Sequence, residues 1–174
     1  MEGLAPAAPA TGAPPVTERS ATALAAAIRE GELSSREVVE AHIEVLRRRE
    51  PALGAVVCER FDEALAEAEA ADEKVAGGGD LPVLHGVPCT IKEAIALEGM
   101  PFTSGVVARR GQVAAETAPT AARLLAAGAI PLGTTNVSEL TMWVESDNRV
   151  YGRTNNAYDP ARTCLLYTSP SPRD

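Results

Sequence analysis

The chain has 174 residues, of which 45% are hydrophobic and 3% aromatic, and 24 acidic against 16 basic side chains give a net charge of -8. This length allows one domain with a hydrophobic core. The acidic balance argues against nucleic acid as a partner, and no run of 18 apolar residues predicts a transmembrane segment. Three scattered cysteines argue against a disulfide framework and for a reducing compartment, so we expect a cytoplasmic protein.

The two ends of the chain differ from its middle. Residues 1–17 contain four prolines and no apolar run, which predicts a disordered tail, and we find no export or import signal in them. Residues 164–174 (CLLYTSPSPRD) depart from the preceding composition and resemble a sequencing-library adapter translated in one frame. We interpret them as a non-native tail that is an artefact, against the alternative of a natural polar C terminus.

Helical and strand patterns alternate in the first half of the chain. A helix is predicted over residues 21–30, and a capping box at Ser34 begins a second helix, which Pro51 should end. A short strand at residues 55–58 precedes a mostly solvated helix at residues 61–76.

The alternation continues in the second half. Residues 86–92 predict a buried strand that is entered through a turn. Thr117 should cap a helix that carries Pro119 in its first turn and ends at Gly128, before a strand at residues 129–133.

The last part of the chain is less regular. Asn136 should begin a short helix toward Trp143, and residues 147–163 are rich in Asn, Arg and Pro and predict an irregular segment. The whole pattern indicates the α/β class.

Common chemical motifs are missing from the sequence. There is no Gly-x-Ser-x-Gly elbow, no phosphate-binding glycine loop and no His or Cys spacing typical of a metal site. We therefore expect neither a cofactor nor a metal. His42 lies on a helix stripe and His85 at a turn, so both are predicted to be structural, and Cys58 and Cys89 are predicted to be small buried hydrophobic residues.

Lys92 is one of only two lysines in the chain, beside Lys74, and it ends an apolar strand. A general base working near pH 7 to 8 needs a lysine pKa roughly 3 units below its usual value of about 10.4, which desolvation can supply. The alternative is an ion pair between Lys92 and Glu93 or another carboxylate. The pattern alone leaves both open.

Three ordered blocks of sequence resemble the amidase signature family. Residues 84–93 (LHGVPCTIKE) with residues 98–101 are similar to the family's lysine segment. Residues 124–140 resemble its next helix and strand, and residues 151–163 resemble the lead-in to its serine motif. The segment from residue 136 to 156 looks closest to the branch that contains fatty-acid amide hydrolase-like enzymes.

The resemblance implies the N-terminal part of an α/β/α sandwich with a central mixed sheet, covering residues 18–163 of one amidase domain. It implies hydrolysis of carboxylic acid amides by a Ser, cis-Ser, Lys triad without a metal, in which Lys92 is the triad lysine. Both serines belong to a Gly-Gly-Ser-Ser-Gly-Gly type loop, which should begin right after Thr163, and to the segment that follows it. We therefore expect the 174-residue polypeptide itself to be inactive.

The resemblance also suggests further site residues. It places Thr141 and Met142 on a segment that lines the acyl pocket, although a Met and a Trp on one short helix are more often core residues. Asn136 and Thr135 are candidates to support the lysine, although an Asn that opens a helix is usually only its cap. The implied partner is a small-molecule amide, fatty acyl or otherwise apolar, and a homodimer of the complete protein is compatible with this.

Two other functions remain open from the sequence. The glutaminase component of glutamyl-tRNA amidotransferase shares the signature and releases ammonia from glutamine for a partner, although the segment after Met142 looks less like that component. The other alternative is a noncatalytic truncated product, which requires residues 164–174 to be encoded in the genome.

Overall fold

The computed structural model describes residues 14–162. Its helices are α1 Ala21–Arg29, α2 Ser35–Leu53, α3 Phe61–Ala76 and α4 Pro119–Ala126. Its strands are β1 Val56–Glu59, β2 Pro88–Lys92, β3 Ile130–Thr135, β4 Asp147–Asn148 and β5 Gly152–Arg153. Short 3₁₀ turns cover Val16–Glu18, Val107–Arg109 and Glu139–Thr141.

The central sheet is mixed, with strand order β1-β3-β2. β3 lies in the middle, antiparallel to β1 and parallel to β2. Strands β4 and β5 form a separate antiparallel pair. The α/β class predicted from the sequence is therefore confirmed, and so is the mixed character of the sheet.

Apolar side chains hold the helices on this sheet in separate clusters. The first cluster joins α2 and α3 to β3 through Val39, Ile43, Phe61, Ala64, Ala68, Ala71, Ile130 and Leu132. A second joins α1 to α2 through Ile28 and Val38, and a third packs Ala121 of α4 against Ile91 of β2. Each large aliphatic side chain buried in this way contributes about 1.5–3 kcal/mol of transfer free energy.

Helix α2 begins as predicted and ends later than predicted. The Ser34 hydroxyl accepts a hydrogen bond from the Glu37 amide, and the Glu37 carboxylate accepts one from the Ser34 amide, so the capping box is confirmed. The prediction that Pro51 ends the helix is wrong, since α2 continues to Leu53 and is capped by Gly54 in the left-handed conformation. Proline has no backbone N–H, so α2 lacks one hydrogen bond in its last turn and continues for only two residues beyond Pro51.

The N-terminal cap of α4 is also different from the prediction. Thr117 does not cap the helix, because its hydroxyl accepts a hydrogen bond from the Glu98 amide at 3.1 Å. The N-cap residue is Ala118, and Pro119 occupies the first turn as expected. Gly128 follows the helix with a φ of +90°, and a Cβ there would lie 2.8 Å from the His85 Cα, so glycine is required at this close approach.

The boundaries of the strands shift modestly, and the end of the chain contains more structure than predicted. β2 begins at Pro88, and β3 extends to Thr135. The short helix predicted from Asn136 is wrong: only the 3₁₀ turn Glu139–Thr141 forms. The segment predicted to be irregular contains the β4 and β5 pair. Val16 packs with the second cluster, whereas residues 1–13 and 163–174 lie outside the described residues.

Candidate active site

Lys92 lies at the carboxyl end of β2, next to the end of β3. The two strands are parallel, and Lys92 is in register with Thr135. The Glu93 amide donates to the Thr135 carbonyl at 2.9 Å, which extends the pairing by one residue. Lys92 is partly buried, whereas Glu93 is fully buried. In open α/β sheets, ligands usually bind outside the carboxyl ends of the parallel strands. Lys92 lies at such an end.

Glu93 is a functional candidate that the sequence pattern did not reveal. Its carboxylate oxygens accept hydrogen bonds from the Thr103 amide at 2.6 Å, the Thr103 hydroxyl at 2.7 Å, the Ser104 amide at 2.8 Å and the Tyr151 hydroxyl at 2.7 Å. These donors are neutral and come from two distant segments. In the sequence, only the position of Glu93 directly after an apolar strand could have indicated a buried carboxylate. Such a carboxylate needs several hydrogen-bond donors, and the sequence does not show where they come from.

The loop that binds Glu93 is backbone-strained at its tip. Ser104 has a φ of +51° and Gly105 a φ of +70°. A Cβ at Gly105 would lie 2.9 Å from the Asn148 Cβ. A non-glycine residue such as Ser104 adopts this conformation only where its surroundings enforce it, and here the Ser104 amide is held by Glu93 while the Ser104 carbonyl accepts from the Leu140 amide at 2.8 Å.

Asn136 anchors the end of β3 to the segment that follows it. Its side-chain amide donates to the Gly152 carbonyl at 2.9 Å, the Thr154 hydroxyl at 3.0 Å and the Ser146 carbonyl at 3.3 Å. The Thr154 hydroxyl in turn donates to the Gly54 carbonyl at 2.7 Å. Asn136 is therefore a buried cross-link and not the cap of a helix, which explains why the predicted helix is missing.

Asn148 completes this network. Its amide donates to Asn136 Oδ1 at 2.8 Å and to the Val137 carbonyl at 2.7 Å. Its Oδ1 accepts from the amides of Val150 and Tyr151 at 2.9 and 2.8 Å. Each polar atom of the side chain is thus used, as expected for a buried amide. The network holds the segment from residue 146 to 154 against the residues that follow β3 and against Gly54.

Tyr151 is the member of this network that reaches Glu93. Burial, followed by the hydrogen bond to Glu93, raises the pKa of Tyr151 to about 12. The hydroxyl is therefore a neutral hydrogen-bond donor throughout the physiological pH range.

The predicted substrate residues lie on the surface of the described part of the chain. Thr141 is exposed, and Met142 and Trp143 are 79% and 67% exposed. The alternative that Met142 and Trp143 are core residues is therefore wrong for residues 14–162. Leu140 and Thr141 have φ values of +52° and +57°, so this apolar segment is held in an uncommon backbone conformation.

The two histidines have structural positions. His85 is buried in the turn before β2, with its Nε2 3.0 Å from the Ala71 carbonyl. His42 is partly buried in α2, with its Nδ1 2.7 Å from the Val38 carbonyl. Both positions agree with the predicted structural role. Within residues 14–162, no cluster of three or more His, Cys, Asp or Glu side chains is arranged to hold a metal.

The cysteines of the sheet are partly buried rather than fully buried. Desolvation raises the pKa of Cys89 to about 11 from 9.0, against an opposing effect of Arg60, and burial also raises the pKa of Cys58. Raised values keep both side chains as thiols near neutral pH, so neither is an activated nucleophile.

This shift predicts a loss of stability in alkali. Above pH 9 the unfolded chain ionises Cys89 while the folded chain does not, so the free energy of unfolding should fall as the pH rises from 9 to 11. Chemical denaturation of the complete protein at a series of pH values measures this slope. Cys89→Ala should flatten it over that interval, and an unchanged slope would contradict the assignment.

The comparisons with known proteins agree with the three sequence blocks. The family model described as Amidase matches residues 37–164. Fatty-acid amide hydrolase 2-A of Danio rerio is 49% identical over 158 residues, which cover 84% of this chain and 30% of that protein. Indoleacetamide hydrolase of Bradyrhizobium diazoefficiens is 46% identical over 150 residues, with 86% and 29% covered. The glutamyl-tRNA(Gln) amidotransferase A component of Acidothermus cellulolyticus is 35% identical over 144 residues, with 83% and 28% covered.

A solved structure shares the fold. Fatty acid amide hydrolase superposes with a TM-score of 0.79 at 28% sequence identity, over 83% of this chain and 26% of that one. The chain spans 30% of the length of the zebrafish relative. Among the described residues, no helix is both long enough and apolar enough to cross a bilayer. Since the family model covers most of the sequence and the solved relative has the same fold, the chain belongs to the amidase family.

Proposed function

We propose that the complete protein hydrolyses a carboxylic acid amide to an acid and an amine or ammonia, with Lys92 as the base of a Ser, cis-Ser, Lys triad. The observation that carries the proposal is the position of Lys92, in a segment that resembles the family's lysine segment and at the carboxyl end of β2 beside β3. A partly buried lysine at such a site is suited to act as a neutral base.

The proposed mechanism is a double displacement. Neutral Lys92 accepts a proton from the bridging serine, which takes one from the nucleophilic serine as its oxygen attacks the amide carbonyl carbon. Backbone amides stabilise the resulting oxyanion. The carbon–nitrogen bond then breaks, the proton returns through the bridge to the leaving amine, and an acyl-enzyme remains. Water attacks the acyl-enzyme and releases the acid.

We propose an apolar acyl group as the substrate class. The exposed side chains of Met142 and Trp143, with Thr141 between Met142 and Leu140, are proposed to line the acyl pocket. The names of two relatives, a fatty-acid amide hydrolase and an indoleacetamide hydrolase, support a substrate with a large apolar acid portion. A cytoplasmic location, supported by cysteine usage, and the absence of a nucleic-acid partner, supported by the net charge of -8, are part of the same proposal. A homodimer of the complete protein is compatible with it.

A second candidate function is that of a glutaminase working within an amidotransferase. It is favoured by the 35% identity to the A component of a glutamyl-tRNA(Gln) amidotransferase. The higher identity to the two hydrolases, at 49% and 46%, makes it the weaker candidate. A noncatalytic truncated product is the third, and it depends on the gene sequence after the codon for Thr163.

The test of the proposal is a substrate comparison with the complete protein. Oleamide, indole-3-acetamide and glutamine at equal concentrations separate the candidates, since ammonia release is measured in the same way for all three. We expect turnover of an apolar amide at least about 10-fold faster than that of glutamine, the discrimination that 1–3 kcal/mol of apolar contact supplies. Turnover of glutamine alone would favour the amidotransferase function.

The 174-residue polypeptide itself is predicted to show no amidase activity. Its serines in residues 14–162 lie outside any glycine-rich loop of the required type, and the loss of nucleophile and oxyanion donors together removes nearly all of the rate enhancement. An assay of ammonia release by the purified polypeptide measures this. Turnover that is abolished by Lys92→Ala would contradict the prediction.

A further inference from the structure

We infer that Glu93 and Tyr151 form a positioning pair that aligns Lys92 with the segment leading into the serine loop. The inference rests on the proposed function, in which Lys92 exchanges a proton with a serine downstream of Thr163. Neither residue of the pair is proposed to touch the substrate. Their role is to fix the geometry between two parts of the active site that are distant in sequence.

The first part of the pair is linked to the lysine through the backbone. Glu93 follows Lys92 directly, and its fully buried carboxylate accepts the Tyr151 hydroxyl at 2.7 Å, across 58 residues of chain. The Glu93 amide is held by the Thr135 carbonyl at 2.9 Å. Because Lys92 and Glu93 share a planar peptide unit, the anchoring of Glu93 at its amide and at its buried carboxylate also restrains the backbone of Lys92.

The second part of the pair is fixed from the other side. The Tyr151 amide donates to Asn148 Oδ1 at 2.8 Å, and the Asn148 amide group holds the Val137 carbonyl just after β3 at 2.7 Å. Three residues beyond Tyr151, the Thr154 hydroxyl accepts from Asn136 at 3.0 Å. Tyr151 therefore lies at the start of a segment that is anchored to the sheet at several points.

The catalytic consequence follows from the sensitivity of proton transfer to distance. A misplacement of about 1 Å can reduce a rate by about 10²-fold, even when its cause lies away from the reacting atoms. The Tyr151 hydroxyl is the one side-chain donor to Glu93 from this downstream segment among the hydrogen bonds described, since the others come from Thr103 and Ser104. Removal of the Tyr151 hydroxyl should loosen this alignment, while Glu93 keeps its hydrogen bonds from Thr103 and Ser104.

The experiment uses the complete protein with Tyr151→Phe, which deletes only the hydroxyl. We expect kcat for an amide to fall about 10-fold while KM changes less than threefold, since the substrate is not contacted. Thr120→Val is the control, because it removes an exposed hydroxyl from α4, outside the proposed site, and it should retain wild-type kcat. Thermal unfolding of each variant measures any loss of the folded state.

A double-mutant comparison separates positioning of the lysine from a general structural role. The two changes, Lys92→Ala and Tyr151→Phe, are combined, and acylation is measured with a p-nitrophenyl ester, whose leaving group needs no proton. If Tyr151 acts through Lys92, its replacement should change the ester rate by less than twofold once Lys92 is absent. If Tyr151→Phe does not fold, Thr103→Val is tested in the same comparison with the same expectation, because the Thr103 hydroxyl donates both to Glu93 at 2.7 Å and to the Tyr151 hydroxyl at 3.2 Å.

The outcomes are distinguishable. Unchanged kcat in Tyr151→Phe, or an equal loss with and without Lys92, overturns the inference while the proposed function stands. A wild-type protein that hydrolyses neither the amide nor the ester overturns the proposed function and the inference with it. A loss of kcat that disappears in the Lys92→Ala background supports the positioning role.

Discussion

Lys92→Ala in the complete protein is expected to lower kcat/KM for an amide by at least about 10³-fold. Proton transfer by a positioned side chain typically contributes 10²–10⁴-fold, and a triad base both activates the nucleophile and protonates the leaving amine. The loss should be smaller for a p-nitrophenyl ester, since its leaving group needs no proton. Steady-state kinetics with an acyl amide and the matched ester measure both effects.

The chain offers a matched control for this experiment. Lys74, the only other lysine in the sequence, is exposed on α3. Lys74→Ala removes the same side chain at a position away from the proposed site and should leave kcat/KM within about twofold of the wild-type value. A Lys92→Ala enzyme that keeps most of its amidase activity would contradict the assignment of Lys92.

The second large effect is expected at Gly133, in the middle strand of the sheet. β1 and β3 approach each other there so closely that a Cβ on Gly133 would overlap the Cys58 carbonyl oxygen. The atom in the way is backbone, so relief requires separation of the strands. Gly133→Ala should therefore lower the free energy of unfolding of the complete protein by about 3 kcal/mol.

Chemical denaturation measures the change at Gly133. Gly79→Ala is the control, because a Cβ at Gly79 has no atom within 4 Å and the residue has no positive φ. That variant should be as stable as the wild type or slightly more stable, since alanine restricts the unfolded chain. Gly133→Ala with wild-type stability would show that the sheet is more open than described.

The predictable part of the fold rests on local signals. The helix predicted at residues 61–76 has these bounds in the structure, because a run of strong helix formers ends in glycines. The Ser34 capping box also forms as predicted. Pro51 shows the limit of local rules, since α2 continues for two residues past a proline although proline costs a helix one backbone hydrogen bond.

From the residue pattern alone, Lys92 was the only predictable residue of the candidate site. Lys92 stood out for two reasons. Burial of an ammonium group at the end of an apolar strand costs free energy unless the group is paired, and the segment around Lys92 resembles that of a known family. Asn136 was suggested only by the family resemblance, and neither Glu93 nor Tyr151 was named as a site residue, because their roles arise from partners up to 58 residues away. Asn136 was misassigned as a helix cap for the same reason: a local explanation existed, and the distant partners were invisible in the sequence.

The source DNA past the codon for Thr163 holds the decisive information, and sequencing it is the first measurement to make. An amidase requires an open reading frame that continues into a glycine- and serine-rich loop, which would supply the nucleophile and the bridging serine for Lys92. We expect that frame. A frame that encodes residues 164–174 and then stops would contradict it, because the chain would then be a natural truncation without a nucleophile and the proposal of an amidase activity would fail.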